Sequence, residues 1–421
     1  LDAAFTACTG LQSLSLTLCY EDSVLPPYFF NLSSLKRGSQ EANCEPKTKT
    51  FGFGFLLLET LALTEVDSHV GFYEIPDEFG KLICLKKLML DELESDELPE
   101  SICQLTWLTE LQISRCELRH LPSSFGNLSS LVKLSIFYLD LLEDLPDSIG
   151  RLQNLQECSL KGFPSVSELP DSLFSLTSLR ALELASLENV QRFSSAMSNL
   201  VSLESLTIKS RERLSPFSLR NLANLRFLTV RICPALGELP KFTDCLSSLE
   251  HLELGQLGGI TRLPNTFARL SHLRLFSFNH CSGVSRLPSS LFQNCWSSLT
   301  ALDFGWPSDC PTNFNDDFLD SLCDLSSLSK LCLSGLLGLI ALPEAIYNLQ
   351  QLRKLTLCCC PESEYVYFNR QWFGLTSLQI MTCPTFKAED DYGTPHSKIP
   401  DLKSGCIDGR PLGGGAMGVG E

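Results

Sequence analysis

Metal or nucleophile chemistry would show first in the cysteines. Cys358, Cys359 and Cys360 are the one run of thiols in a chain with 19 cysteines. A tetrahedral metal site wants C-x-x-C spacing, so that two sulfurs converge on one ion. Three consecutive residues on a strand point in different directions, so this run does not read as a metal centre. The six histidines, His69, His120, His251, His272, His280 and His396, form no H-E-x-x-H pair, the spacing that puts two imidazoles on one helix face. No G-x-S-x-G elbow occurs. Asp316 and Asp317 are adjacent carboxylates, but neighbours on a loop need not converge on one proton, and a solvated acidic loop explains them. Asn31 and Asn127 open N-x-S sequons. Both belong to the same Asn-Leu-Ser-Ser-Leu segment, so repetition accounts for them better than glycosylation does. The reading is non-enzymatic, with no catalytic residue, no cofactor and no metal.

Residues suited to recognition are better organised. One stripe reads Phe137 and Tyr138, Lys161, Ala185, Lys209 and then Arg231, at matching places in successive segments. Glu253, His280, Asp303 and Trp306 follow further along. Aromatic residues and Arg anchor interfaces, and three cations on one stripe would steer a partner with an acidic surface. On adjacent strands ~4.8 Å apart, Phe137 and Arg231 would lie roughly 19 Å apart, the width of a protein contact. The other reading is a random mixture on an exposed face, since single exposed aromatics are ordinary. Trp306 and its acidic loop form a rival site that would prefer a basic partner.

The element that must position this stripe is residues 131–155, LVKLSIFYLDLLEDLPDSIGRLQNL. Leu134 and Ile136 are two apart, so one face of an extended strand holds both. Pro146 fixes its own φ and blocks helix for Leu145, so the chain turns there. Ile149, Leu152 and Leu155 return apolar side chains to the same interior. One such turn cannot bury its own apolar face, but stacked copies can. Starts of the pattern fall at Leu11, Leu58, Leu85, Leu108, Leu131, Leu155, Leu179, Leu203, Leu225, Leu249, Leu273, Leu299, Leu328, Leu352 and Leu375. From Leu85 to Leu273 the spacings are 23, 23, 24, 24, 24, 22, 24 and 24. A helical alternative would have to run through Pro99, Pro122, Pro146 and Pro170, which helix interiors do not tolerate.

Composition narrows the class. At 44% hydrophobic the chain is too apolar for disorder. A net charge of −16 argues against nucleic acid, whose binders need a basic face to displace counterions. No apolar run approaches a bilayer span, so no membrane partner is expected. Cysteines this scattered suggest buried thiols in a reducing compartment, and a cytoplasmic location.

The array has interruptions. Residues 1–35 read as repeats that begin mid-repeat without a cap. Phe5 stands where Phe125 and Ile149 stand later, so the chain is expected to be a piece of a longer one, or a truncated gene model. Residues 36–58 are an irregular insert, polar and then Phe/Gly-rich. It is either a disordered loop or mispredicted coding sequence, or a binding loop on the array's edge. Repeats resume over 59–386. The repeat at Leu203 lacks Leu-Pro, and the one at Leu299 runs 29 residues. Residues 387–421 read as a flexible Gly-rich tail.

The assembled motif, L-x-x-L-x-L-x-x-C/x-x-x-L-x-x-L-P-x-x-I-G-x-L-x-x-L, resembles a leucine-rich repeat of the 23–24-residue intracellular type, over about residues 1–386. Nine Leu-Pro pairs carry the resemblance: Leu25-Pro26, Leu98-Pro99, Leu121-Pro122, Leu145-Pro146, Leu169-Pro170, Leu239-Pro240, Leu263-Pro264, Leu287-Pro288 and Leu342-Pro343. Where the family often has a ladder Asn, this chain holds Cys116, Cys233, Cys281, Cys360, Cys383 or an apolar residue. Cys233-Pro234, Cys360-Pro361 and Cys383-Pro384 resemble turns of plant disease-resistance proteins, the nucleotide-binding leucine-rich-repeat receptors. LPDSIGRLQNL and LPSSFGNLSSL are also similar to plant Ras-group-related leucine-rich-repeat proteins.

The resemblance implies an α/β leucine-rich-repeat solenoid, a horseshoe whose curved parallel sheet lines the concave face, with short helical or irregular segments outside. It implies a protein partner on that face, sensing or regulation in plant defence signalling, and other domains in a longer parent chain. No G-x-x-x-x-G-K-[ST] loop occurs, so the nucleotide switch of those receptors is not among these residues. An intracellular signalling scaffold and the substrate-recognition array of an enzyme remain alternatives. Partner contacts are expected from Phe137, Tyr138, Lys161, Lys209, Arg231 and Trp306.

Overall fold

The strand that recurs is built from alternation. In Lys133–Phe137 the side chains of Leu134 and Ile136 are wholly buried, while Lys133 and Phe137 face away from the core. The computed structural model describes residues 12–19, 58–66, 75, 77–93, 95–210, 214, 217–239, 246–284, 297–305, 322–335, 344–358, 365–368, 377–381, 387–390 and 403–404. The chain divides into two units, Leu1–Leu225 and Arg226–Glu421.

The described residues of the first unit form strands β1 (Ser13–Cys19), β2 (Thr60–Val66), β3 (Lys87–Asp91), β4 (Glu110–Ser114), β5 (Lys133–Phe137), β6 (Glu157–Lys161), β7 (Ala181–Ala185) and β8 (Ser205–Lys209). Each is parallel to the next and in register with it. The second unit holds β9 (Phe227–Arg231), β10 (His251–Gly255), β11 (Leu275–Asn279), β12 (Ala301–Gly305), β13 (Lys330–Ser334) and β14 (Lys354–Cys358), again successively parallel. A separate parallel pair joins β15 (Tyr365–Phe368) to β17 (Lys387–Asp390), while β16 (Ser377–Met381) pairs with β14 and with β18 (Lys403–Ser404). Each of the fifteen leucine starts read from the sequence is followed, two residues later, by a strand. Two short strands fall within 387–421, the stretch whose composition reads as a tail.

One coil of the array shows how the interior fills. Leu131, Leu134, Ile136, Leu139, Leu142, Leu145, Ile149, Leu152 and Leu155 are all buried. Truncating such a leucine to alanine costs about 2–5 kcal/mol. Tyr138 follows the strand with φ 55°, and its N–H donates to the Lys161 carbonyl at 2.7 Å. That left-handed step extends the backbone ladder one residue past the strand. Gly162 takes the same place in the next coil at φ 73°, where glycine has no Cβ penalty.

Leu-Pro pairs among the described residues then open outer segments. Pro146 is extended at φ −68°, ψ 141°, and caps the 3-10 helix Asp147–Arg151. These outer segments are 3-10 turns of a few residues, each closed by its following leucine. Gly150 is where consecutive turns abut: a Cβ there would lie 2.6 Å from the Ser172 carbonyl oxygen, which explains the glycine in the motif.

Leu58, placed by sequence at the end of the insert, is 1% exposed and stands where Leu85 stands one coil later. The rest of 36–57 lies outside the described residues. No helix among the described residues is long and apolar enough to cross a membrane.

Candidate functional site

The outward face of β4–β8 carries an open hollow of about 440 Å³. Register builds it. Gln112, Ser135, Ser159, Glu183 and Thr207 are cross-strand neighbours in that order and occupy the middle outward position of each strand. These mostly short side chains form a trough across the strands. Lys133 and Glu157 stand along one wall, Phe137 and Lys161 along the other.

Charges on both walls are already paired. Lys133 Nζ lies 2.8 Å from Glu157 Oε2, and that carboxylate holds the ammonium above its ordinary pKa. Lys161 Nζ lies 2.8 Å from Glu183 Oε2 and 5.0 Å from the centroid of the Phe137 ring. Glu183 also accepts from Ser159 Oγ at 3.1 Å and reaches Lys209 Nζ at 4.0 Å. Glu183 is thus the common partner of two lysines on flanking strands.

Of the six expected contact residues, the structure brings Phe137, Tyr138, Lys161 and Lys209 to the outward side of the first unit. Phe137, Lys161, Ala185 and Lys209 are successive cross-strand neighbours. Tyr138 is 56% exposed, with its ring over Gly162. Arg231 belongs to the second unit, where Nη1 meets Glu253 Oε1 at 3.0 Å and the side chain packs over Gly255. Trp306 and the loop with Asp316 and Asp317 lie outside the described residues. The structure adds carboxylates to the stripe: Lys161 and Lys209 share Glu183 and Arg231 meets Glu253, so two of its three positive charges are balanced. Glu183 and the trough of Ser135 and Ser159 were missed; their signal is the central outward residue of each Leu-x-Leu.

The described ladder thiols are buried. Cys116 donates to the Ser114 carbonyl at 3.2 Å, and Cys233 and Cys281 donate likewise to the Arg231 and Asn279 carbonyls, each two residues after the end of its strand. Burial pushes the Cys281 and Cys158 thiols up to about 12, far from thiolate reactivity. Among the described residues no group of His, Cys, Asp or Glu could hold a metal ion. Cys359, Cys360 and Cys383 lie outside those residues.

Residues 138–304 match the family model described as a leucine-rich repeat region. The fold is a leucine-rich-repeat solenoid. Solved structures agree with it. A leucine-rich-repeat protein of Leptospira interrogans aligns with TM-score 0.60 and 21% identity, over 84% of this chain and 85% of that one. The TLR13–ssRNA13 complex aligns with TM-score 0.55 and 20% identity, over 80% of this chain and 52% of the other. The Drosophila Toll–Spätzle complex aligns with TM-score 0.54 and 17% identity, over 80% and 48%. At these identities the likeness is one of fold. No curated protein matches the chain in sequence.

Proposed function

We propose that this leucine-rich-repeat array recognises another protein through the outward strand face of its first unit, with Phe137, Tyr138, Lys161 and Lys209 in the contact. The observation that carries the reading is an exposed Tyr138 beside Phe137 on the rim of the hollow. Rigid aromatic rings next to a concave polar surface make an interface anchor. Because Lys161 is paired with Glu183, the partner need not be acidic. Arg231 and Trp306 stand as contacts of the second unit. In the fuller reading the array is the cytoplasmic sensing or regulatory part of a plant disease-resistance-like protein in defence signalling, acting by recognition rather than catalysis. Its support is the run of Leu-Pro repeats and the three Cys-Pro turns.

The test is affinity for a captured partner. The pair Phe137→Ala with Tyr138→Ala should weaken binding by ~2 kcal/mol. Unchanged affinity, with loss on Trp306→Ala instead, would move the site to the second unit. Transient expression in leaf tissue tests the defence reading: the array should alter the cell-death response, and no effect counts against it.

A further inference from the structure

Resting on that reading of the strand face, the geometry points to Glu183 as its specificity-determining residue. We propose that Glu183 neutralises Lys161, the cation that lines the hollow beside it, and partly offsets Lys209, and so makes the hollow reject acidic segments of a partner. Glu183 takes three groups from its two neighbouring strands: Lys161 Nζ at 2.8 Å, Ser159 Oγ at 3.1 Å and Lys209 Nζ at 4.0 Å. Lys161 and Glu183 are each 29% exposed, so the pair is partly withdrawn from water and is screened less than a surface pair. The opposite wall is balanced by Lys133 with Glu157. All four charged groups lining the hollow therefore have an opposite charge at 2.8 Å. What the trough offers a partner is uncharged: the Gln112 amide and the hydroxyls of Ser135, Ser205 and Thr207. An acidic segment entering there would meet Glu183 and a Lys161 already paired with it, and unfavourable contacts of this kind set specificity as much as favourable ones do.

Glu183 acts through the lysines it holds, so the test reads charge rather than stability. The full chain and Glu183→Gln, both checked for fold by circular dichroism, are measured against immobilised poly-L-glutamate across a salt series. Removing the carboxylate frees Lys161 and leaves Lys209 without its offset, a change of one unit of charge. Glu183→Gln should bind about tenfold tighter at low salt and lose that gain as the Debye length shortens. Adding Lys161→Gln and Lys209→Gln should abolish the gain. The idea is overturned if the unaltered chain already binds poly-L-glutamate in a salt-dependent way, a result that needs no variant. Equal binding by Glu183→Gln, or a gain that survives loss of both lysines, overturns it too. No partner enters this measurement, so its failure is separate from failure of the Phe137 and Tyr138 contact.

Discussion

The outward faces of the two units are built on the same strand motif and solve their polarity differently. On β4–β8 the charged side chains reach sideways to one another and leave a trough open between them. On β11–β13 the middle of the face is closed by its own hydrogen bonds. Asp303 accepts from Asn279 Nδ2 at 2.8 Å and Ser277 Oγ at 3.3 Å, and the Cys332 thiol is held to it as well. A Cβ at Gly305 would collide with Asn279 and Ser334, so the face there is filled. The interiors differ too. Phe276 stacks against Phe278 with ring centroids 6.1 Å apart, and Phe278 lies tilted against Phe304 at 5.2 Å, where the coil of β5 uses leucine and isoleucine. The same backbone can therefore present a surface with open hydrogen-bonding capacity, or one that satisfies itself.

The largest test of that contrast lies behind the sheet. Phe278→Ala should cost ~3–5 kcal/mol, because it removes a wholly buried ring from a row of packed aromatics. Phe137→Ala, on the outward face, should cost well under that. Urea titration of both variants reads the difference, and similar losses would break the division between core and recognition residues.

Next comes the closed network. Asp303→Ala strands the donors of Asn279 and Ser277 and should destabilise by ~1–3 kcal/mol. Glu157→Ala breaks an exposed pair and should cost under ~1 kcal/mol. Equal effects in thermal melts would mean that the first face is as tightly self-satisfied as the second.

The smallest effect is a pH dependence. His251 sits edge-on to Phe227 at 4.7 Å, and burial lowers its pKa. The unfolded chain then binds the proton more readily than the folded one. The stability His251 contributes is fully present above its unfolded value of about 6.5 and falls away as pH drops below that value. An NMR titration should place its midpoint below that of a free histidine, and His251→Gln should flatten the stability profile in that window. A midpoint at or above the free value would contradict the packing against Phe227.

Much of this was legible in the chain itself. Burial with period two and the turn at Leu-Pro are local properties, set within a few residues by backbone sterics and by the need to hide apolar side chains. The leucine starts therefore located every outward residue of the stripe, Phe137, Lys161 and Lys209 among them. The outer 3-10 turns needed the structure, because five residues with one proline do not by themselves choose between helix types. Electrostatics needed it most. Lys161 and Glu183 are 22 residues apart in the chain, and they meet only because parallel pairing stacks one coil on the next with Lys161 beside Ala185. Reading along one stripe counted three cations. Only the stacking of coils, which sets the middle position of one strand against the last position of its neighbours, decided that a carboxylate stands between two of them.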